Sequence, residues 1–238
     1  MIFFNSADVI KTKGEMYVLV YLIAAIIPAA AILLVVYFYD RHKEPPRRIW
    51  WLVIMGAIVV LPISFLEREM LNAYASTFAP SIPFLSALFT AFFVAGAVEE
   101  GGKALVFYRF VYKKPWVNEP YDHIVYAVTI GMGFALVENF LYVTSYGLET
   151  AFVRAFTAVP AHAMFGVVMG SLFSQSRYQS APLWRAYVIP ALLHGIYDTF
   201  AMAQGFIGNL LLVFYLMWLV RFAFLRATAL QKLDYRMS

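Results

Sequence analysis

The chain has 238 residues and a net charge of +4, yet only 13% are charged while 63% are hydrophobic, giving a mean hydropathy of +0.73. That balance excludes an ordinary water-soluble domain. The absence of cysteine excludes disulfide frameworks, thiol nucleophiles and thiolate metal sites.

A helix crosses a hydrocarbon core of roughly 30 Å with about 20 residues, and apolar runs of that order recur along the sequence. The first lies near 16–39, behind Lys11 and Lys13, and its "PAAA" at 28–31 resembles a signal-peptide cleavage site. It is too long for that role and a basic loop follows, so it is expected to remain as a span. Further runs lie near 48–66, 83–110, 122–146, 154–174, 185–204 and 207–226. They predict an all-α, polytopic transmembrane helix bundle of about seven spans. No linker is long enough for a soluble domain, so 1–238 reads as one integral-membrane domain in the cell membrane.

Basic residues set the expected orientation. With seven spans, all but Lys11, Lys13, Arg68, Arg154 and the intraspan Lys103 fall on the odd-numbered loops and the C-terminal tail. This asymmetry predicts an outside N-terminus and a cytoplasmic C-terminus, and it accounts for the positive charge without a nucleic-acid partner. Trp50, Trp51, Trp116 and Trp184 flank the same loops, where amphipathic rings belong.

Ionisable groups at membrane depth cost about 2.5 to 3.5 kcal/mol each on insertion scales and mark functional interiors. Here they are Glu99, Glu100 and Lys103 in the third span, Glu138 with Asn139 in the fourth, His162 in the fifth, and His194 with Asp198 in the sixth. Counting about 1.5 Å per residue from the basic ends puts them about 14 to 24 Å deep, at a shared level. Lys103 lies one turn from both glutamates, which predicts one paired carboxylate and one free. His194 and Asp198 share a face at i, i+4. Ala158, His162, Gly166 and Gly170 form a small-residue stripe, and Pro160 and Pro190 are expected to distort their helices beside the histidines. Asn139 reads as a structural hydrogen-bonding group. His42 and His123 read as solvated residues at loop edges.

This constellation suits activation of water. A buried carboxylate serves as general base and then acid, with histidines stabilising the oxyanion. Alternatively Glu138, His162 and His194 hold a divalent metal such as Zn²⁺ with an open position for water. Of the two adjacent glutamates, Glu100 is the favoured base. A proton- or cation-coupled transporter, or a non-catalytic partner of another membrane protein, would also place such groups at mid-membrane.

No HExxH or GxSxG occurs, and no GxGD accompanies the "YD" at 197–198. In order, the chain carries "EEGGK" at 99–103, "GFALVENFLY" at 133–142, "FVRAFTAVPAHAMFGVVMG" at 152–170 and "LLHGIYD" at 192–198. These segments resemble the PrsW family of intramembrane proteases, with its EExxK, FxxxE, histidine-containing helix and HxxxD. The "EPP" after the first span and "YDHIVYA" before Glu138 are also similar to that family. Residue by residue, the resemblance assigns Glu99, Glu100, Lys103, Phe134, Glu138, His162, His194 and Asp198 to the motifs. It implies proteolysis of a single-pass membrane protein of the anti-sigma-factor type, cut on the outer side. More distantly, the paired glutamates and HxxxD are similar to the CAAX protease and bacteriocin-immunity superfamily, where a glutamate-activated water is favoured. The family has been grouped with metalloproteases, so a metal and a metal-free route both stay open.

Overall fold

The computed structural model describes residues 6–77, 83–203 and 205–237, and among these every regular element is helical. α1 (Ser6–Tyr39) and α2 (Pro46–Thr77) are long; Pro46, from "EPP", occupies the first helical position, where a missing N–H breaks no bond. α3 (Pro83–Phe89) runs through a π-helical stretch (Thr90–Gly96) into α4 (Ala97–Phe110). Then follow α5 (Asp122–Tyr146), α6 (Leu148–Phe156), α7 (Ala158–Tyr178), α8 (Arg185–Met202) and α9 (Phe206–Met237).

Six helical stretches are long and apolar enough to cross a membrane by length and composition. The expected count was about seven, and the difference is α8. It has 18 residues and carries Arg185, His194 and Asp198, which lower its apolarity. It is nonetheless a pass through the bundle. Gln231 donates to the Tyr39 carbonyl (2.9 Å), the Tyr121 amide to Asp234 (3.2 Å) and Arg177 to the Lys114 carbonyl (3.4 Å), so the ends of α1, α4, α7 and α9 share one face. α7 therefore finishes where α9 finishes, and α8 must cross between them; the Tyr215 hydroxyl of α9 donates to its Leu193 carbonyl at 2.6 Å.

α5 and the α6–α7 stretch form the centre. In α5, 72% of the most apolar window is buried, against 22% in α2 and 11% in α1, so the latter wrap it from outside. Close approach depends on glycine. A Cβ at Gly133 would collide with the Val53 carbonyl, and one at Gly56 with that of Ile130, so α2 and α5 meet backbone to backbone. The stripe on α7 works likewise, with Gly166 against Val128 and Gly170 against His123 and Ile124.

The basic face is tied by polar contacts. Asp122 accepts the amides of Asn118 and Glu119 (both 2.9 Å), the Tyr126 hydroxyl donates to Glu44 of "EPP", and Arg48 joins Glu44 at 3.2 Å while lying over Trp116. His42 is half exposed and pairs with Glu119 at 2.6 Å. His123 is not solvated as expected. It begins α5 one residue inside the helix, packs against Phe107 and Tyr178, and is fully buried. Pro160 also departs from expectation. It falls in the first turn of α7, and the chain breaks at Thr157, which separates α6 from α7.

The backbone contact at Gly133 predicts that Gly133→Ala lowers stability by about 1 to 3 kcal/mol through overpacking. Gly101→Ala, where a Cβ would meet only the Tyr187 ring at 3.4 Å, should be neutral or stabilising. Unfolding midpoints of the two variants in detergent micelles check the contrast.

Candidate active site

Glu99 and Glu100 open α4 directly after the π-helical stretch, a distortion common at functional sites. Lys103, one turn on, places its Nζ 2.8 Å from Glu100 Oε1 and 3.2 Å from Glu99 Oε2. The expected free carboxylate is therefore not found, because both glutamates project to the side of the helix where the ammonium lies. The same Nζ is 3.1 Å from His162 Nδ1 and 4.0 Å above the Phe134 ring. Phe134 of FxxxE thus contributes a π face beneath the lysine.

α8 delivers His194 to the other side of the glutamates. Its Nδ1 is 3.0 Å from Glu100 Oε1 and 4.0 Å from Glu99 Oε2, its Nε2 is 3.4 Å from Asp198 Oδ2, and its ring stacks on Phe165. On α7, His162 Nε2 lies 2.8 Å from Glu138 Oε2. With the Lys103 ammonium donating to Nδ1, His162 is the tautomer whose Nε2–H donates to Glu138. All seven ionisable residues singled out at membrane depth in the sequence belong to this network.

Two participants, Arg154 and Glu67, were missed. Arg154 was counted only among the few basic residues of the outer face, yet its Nη2 lies 2.9 Å from Glu138 Oε2, its Nε donates to Asn139 Oδ1 at 3.0 Å, and its guanidinium covers the Tyr142 ring at 3.9 Å. Asn139, fully buried, is the acceptor that orients it. Glu67 lies on α2 beyond the apolar run that marked the span, and it borders the same cavity as the network.

That cavity measures about 250 Å³. Its polar walls are Glu67, Glu99, Glu138, Arg154, His162, His194 and Asp198, with Tyr142 and Tyr197. Glu100 and Lys103 are not among the lining residues; they lie behind the wall, 0% and 3% exposed.

The donor set fits a divalent metal. Ligand atoms of Glu99, Glu100, His162 and His194 lie within 4.8 Å of one another, a mixed nitrogen and oxygen set of the kind zinc accepts. Glu100 Oε2 is buried without a hydrogen-bond partner, leaving a ligand atom to spare. Each imidazole turns Nδ1 toward this group and Nε2 toward a carboxylate, Glu138 for His162 and Asp198 for His194, the outer-shell pattern of metal-bound histidines. Glu138, expected as a ligand, sits instead at the far nitrogen of His162. The Lys103 ammonium touches three of the four donors and already supplies a positive charge there.

The profile described as PrsW family intramembrane metalloprotease matches residues 44–225. Relatives named Protease PrsW include that of Geobacillus kaustophilus, 36% identical over 155 residues (63% of this chain and 65% of the relative), and that of Bacillus subtilis, 35% identical over 151 residues (60% and 65%). The protein of the same name from Clostridioides difficile is 35% identical over 138 residues (54% and 58%). The matched part of the chain thus spans less than two thirds of these relatives' length. No solved structure matches the chain.

The Lys103 contacts predict a strong coupling. Lys103→Met, which strands the buried Glu100 charge, should cost about 3 to 5 kcal/mol. Adding Glu100→Gln should return at least half of that loss. A double-mutant cycle on unfolding in micelles checks it, and additive losses would contradict it.

Proposed function

Because this chain belongs to the PrsW family of intramembrane metalloproteases, we propose that it hydrolyses a peptide bond of a membrane-anchored protein within the cavity beside Glu99. The observation that carries this reading is a buried carboxylate, Glu99, that both borders a polar cavity and contacts the charged network behind it.

Glu99 is the general base. The geometry favours it over Glu100, the choice from sequence, because Glu99 lines the cavity and Glu100 does not. The Glu99 carboxylate takes a proton from water as the water oxygen bonds to the scissile carbonyl carbon. It returns that proton to the departing nitrogen as the C–N bond breaks. His194, held between Glu100 and Asp198, lines the cavity near Glu99, where its ring stabilises the tetrahedral oxyanion electrostatically. Asp198 orients His194, and Glu138 orients His162. Lys103 holds the two glutamates against each other's repulsion. Glu100, His162 and His194 are the three side chains that would hold a divalent cation such as Zn²⁺, leaving Glu99 as base. The chemistry such an ion supplies is a bound water of lowered pKa and a polarised carbonyl.

The finer reading is a single-pass substrate of the anti-sigma-factor type, cut toward the outer side. The asymmetry of basic residues supports it by directing the basic face to the cytoplasm, and Glu138 is then about 24 Å from that face along α5. A transporter is less well supported. Between the network and the basic face lie Phe107, Phe165, Met169, Leu172 and Phe173, all buried, and the buried Thr129 and Ser171 hydroxyls there donate to carbonyls of their own helices.

Purified protein in liposomes, given a panel of single-span substrates with anti-sigma factors included, is expected to cleave at least one. Glu99→Gln should reduce the rate by about 100-fold or more, the usual contribution of a general base. Chelation should abolish cleavage and Zn²⁺ restore it if the metal route operates. Undiminished cleavage by folded Glu99→Gln would remove Glu99 from its role, and a folded wild type inert toward the whole panel would overturn the hydrolase.

A further inference from the structure

Arg154 sits where an arginine is costly. α6 is a nine-residue helix whose Phe152, Val153 and Phe156 are 54% to 69% exposed. A long basic side chain at such a place ordinarily extends toward water. Arg154 does the reverse, turning inward until its side chain is 13% exposed. The Gly147 backbone, at φ 88°, makes the turn that sets α6 against the end of α5.

What it meets there is specific. Asn139 accepts its Nε–H, Glu138 forms an ion pair with its Nη2, and Tyr142 offers it a π face, all three from one stretch of α5. Glu138 Oε2 is shared, since the oxygen that pairs with Arg154 is also the one that accepts from His162 Nε2. The charge balance shows why this matters. Glu67, Glu99, Glu100, Glu138 and Asp198 surround or back the cavity, and Lys103 and Arg154 are the cations in contact with them. Remove Arg154 and, among the described residues, Lys103 is the lysine or arginine that still contacts these carboxylates, at Glu99 and Glu100. Glu138 would then have no fixed cation on its outer side, and His162 would lose the fixed acceptor that holds its Nδ1 toward Lys103 and the glutamates.

We infer that Arg154 is a positioning residue of the site: through Glu138 it fixes the orientation and tautomer of His162. The inference rests on the hydrolase reading for its kinetic consequence, but not for its structural one. A lysine can replace the charge but not the planar fork that reaches Asn139 and Glu138 together, so only partial rescue is expected.

The test compares wild type, Arg154→Gln, Arg154→Lys and the lipid-facing control Phe152→Ala, all reconstituted in liposomes. Cleavage of a single-span substrate gives kcat and KM, and ¹⁵N shifts of the labelled histidines, with His162 assigned by substitution, give the tautomer. Arg154→Gln should lower kcat by about 10- to 100-fold, the range for outer-shell partners, with KM changed by less than about threefold. Arg154→Lys should recover part of the loss, and Phe152→Ala should match wild type. His162 should be Nε2-protonated in wild type and lose that preference in Arg154→Gln. An unchanged His162 tautomer in folded Arg154→Gln would overturn the inference, as would a kcat loss equal to the fraction of protein unfolded. If wild-type protein cleaves no substrate, the hydrolase reading falls, and the tautomer still decides the role of Arg154.

Discussion

The Lys103 ammonium lies within hydrogen-bond reach of Glu99, Glu100 and His162 in a bundle built for lipid. Two carboxylates on consecutive residues in a poorly solvated interior repel each other, and each carries a desolvation cost of several kcal/mol. A cation between them offsets both terms at once. Its contacts also tie α4 to α7, and the glutamates it holds are then in place to receive His194 from α8. The π face of Phe134 closes the lysine from below and brings in α5. One charge thus sets the mutual placement of four helices at the depth where the chemistry is proposed.

Such a network can form only if the helix backbones come close enough for short side chains to touch. Gly96 and Gly195 meet where the end of the π-helical stretch, just before α4, crosses α8: a Cβ on Gly96 would stand 2.6 Å from the Ala191 carbonyl and 3.1 Å from the Gly195 nitrogen. Glu100 lies one turn after Gly96, and His194 immediately before Gly195. The crossing point therefore delivers the 3.0 Å contact between them. Gly131 does the same for α5 and α7: a Cβ there would stand 3.2 Å from the His162 carbonyl. Small residues beside the charges are the steric condition for the charges to pair, rather than a separate feature of the packing.

Much of this site was legible in the sequence because its members lie on straight helices at spacings that fix a shared face. Glu99, Glu100 and Lys103 within one turn, and His194 and Asp198 at i, i+4, need only helical geometry. Arg154 was not legible. The break at Thr157 puts it on a separate helix, so its direction bears no periodic relation to His162. Glu67 escaped because α2 continues to Thr77, well past the apolar run that suggested its end. His123 was misplaced because a loop-edge position says nothing of the 111–121 segment that folds over it. The fold class followed from apolar length, and so did α8, read as the run 185–204, although its functional side chains dilute its apolarity.

The π-helical stretch before Glu99 has a physical consequence that periodicity also hides. Thr90, Val94 and Ala95 line the polar cavity, while Phe89, Phe92 and Phe93 line an apolar groove on the other side, against Tyr187, Val188 and Ala191 of α8. One segment separates a wet interior from the hydrocarbon and must present opposite chemistry to each. A π turn accommodates an extra residue without ending the helix. The faces before and after it are therefore rotated relative to an unbroken α-helix, in which every residue advances by about 100°. Glu99 and Glu100 can then point inward although the aromatic run just before them faces out. The Phe92 ring, packed on Gly195, fills the gap that this change of register leaves at the crossing with α8. The distortion, the glycine and the aromatic ring form a single arrangement that keeps Glu99 at the polar cavity and both carboxylates screened from lipid by one helix wall.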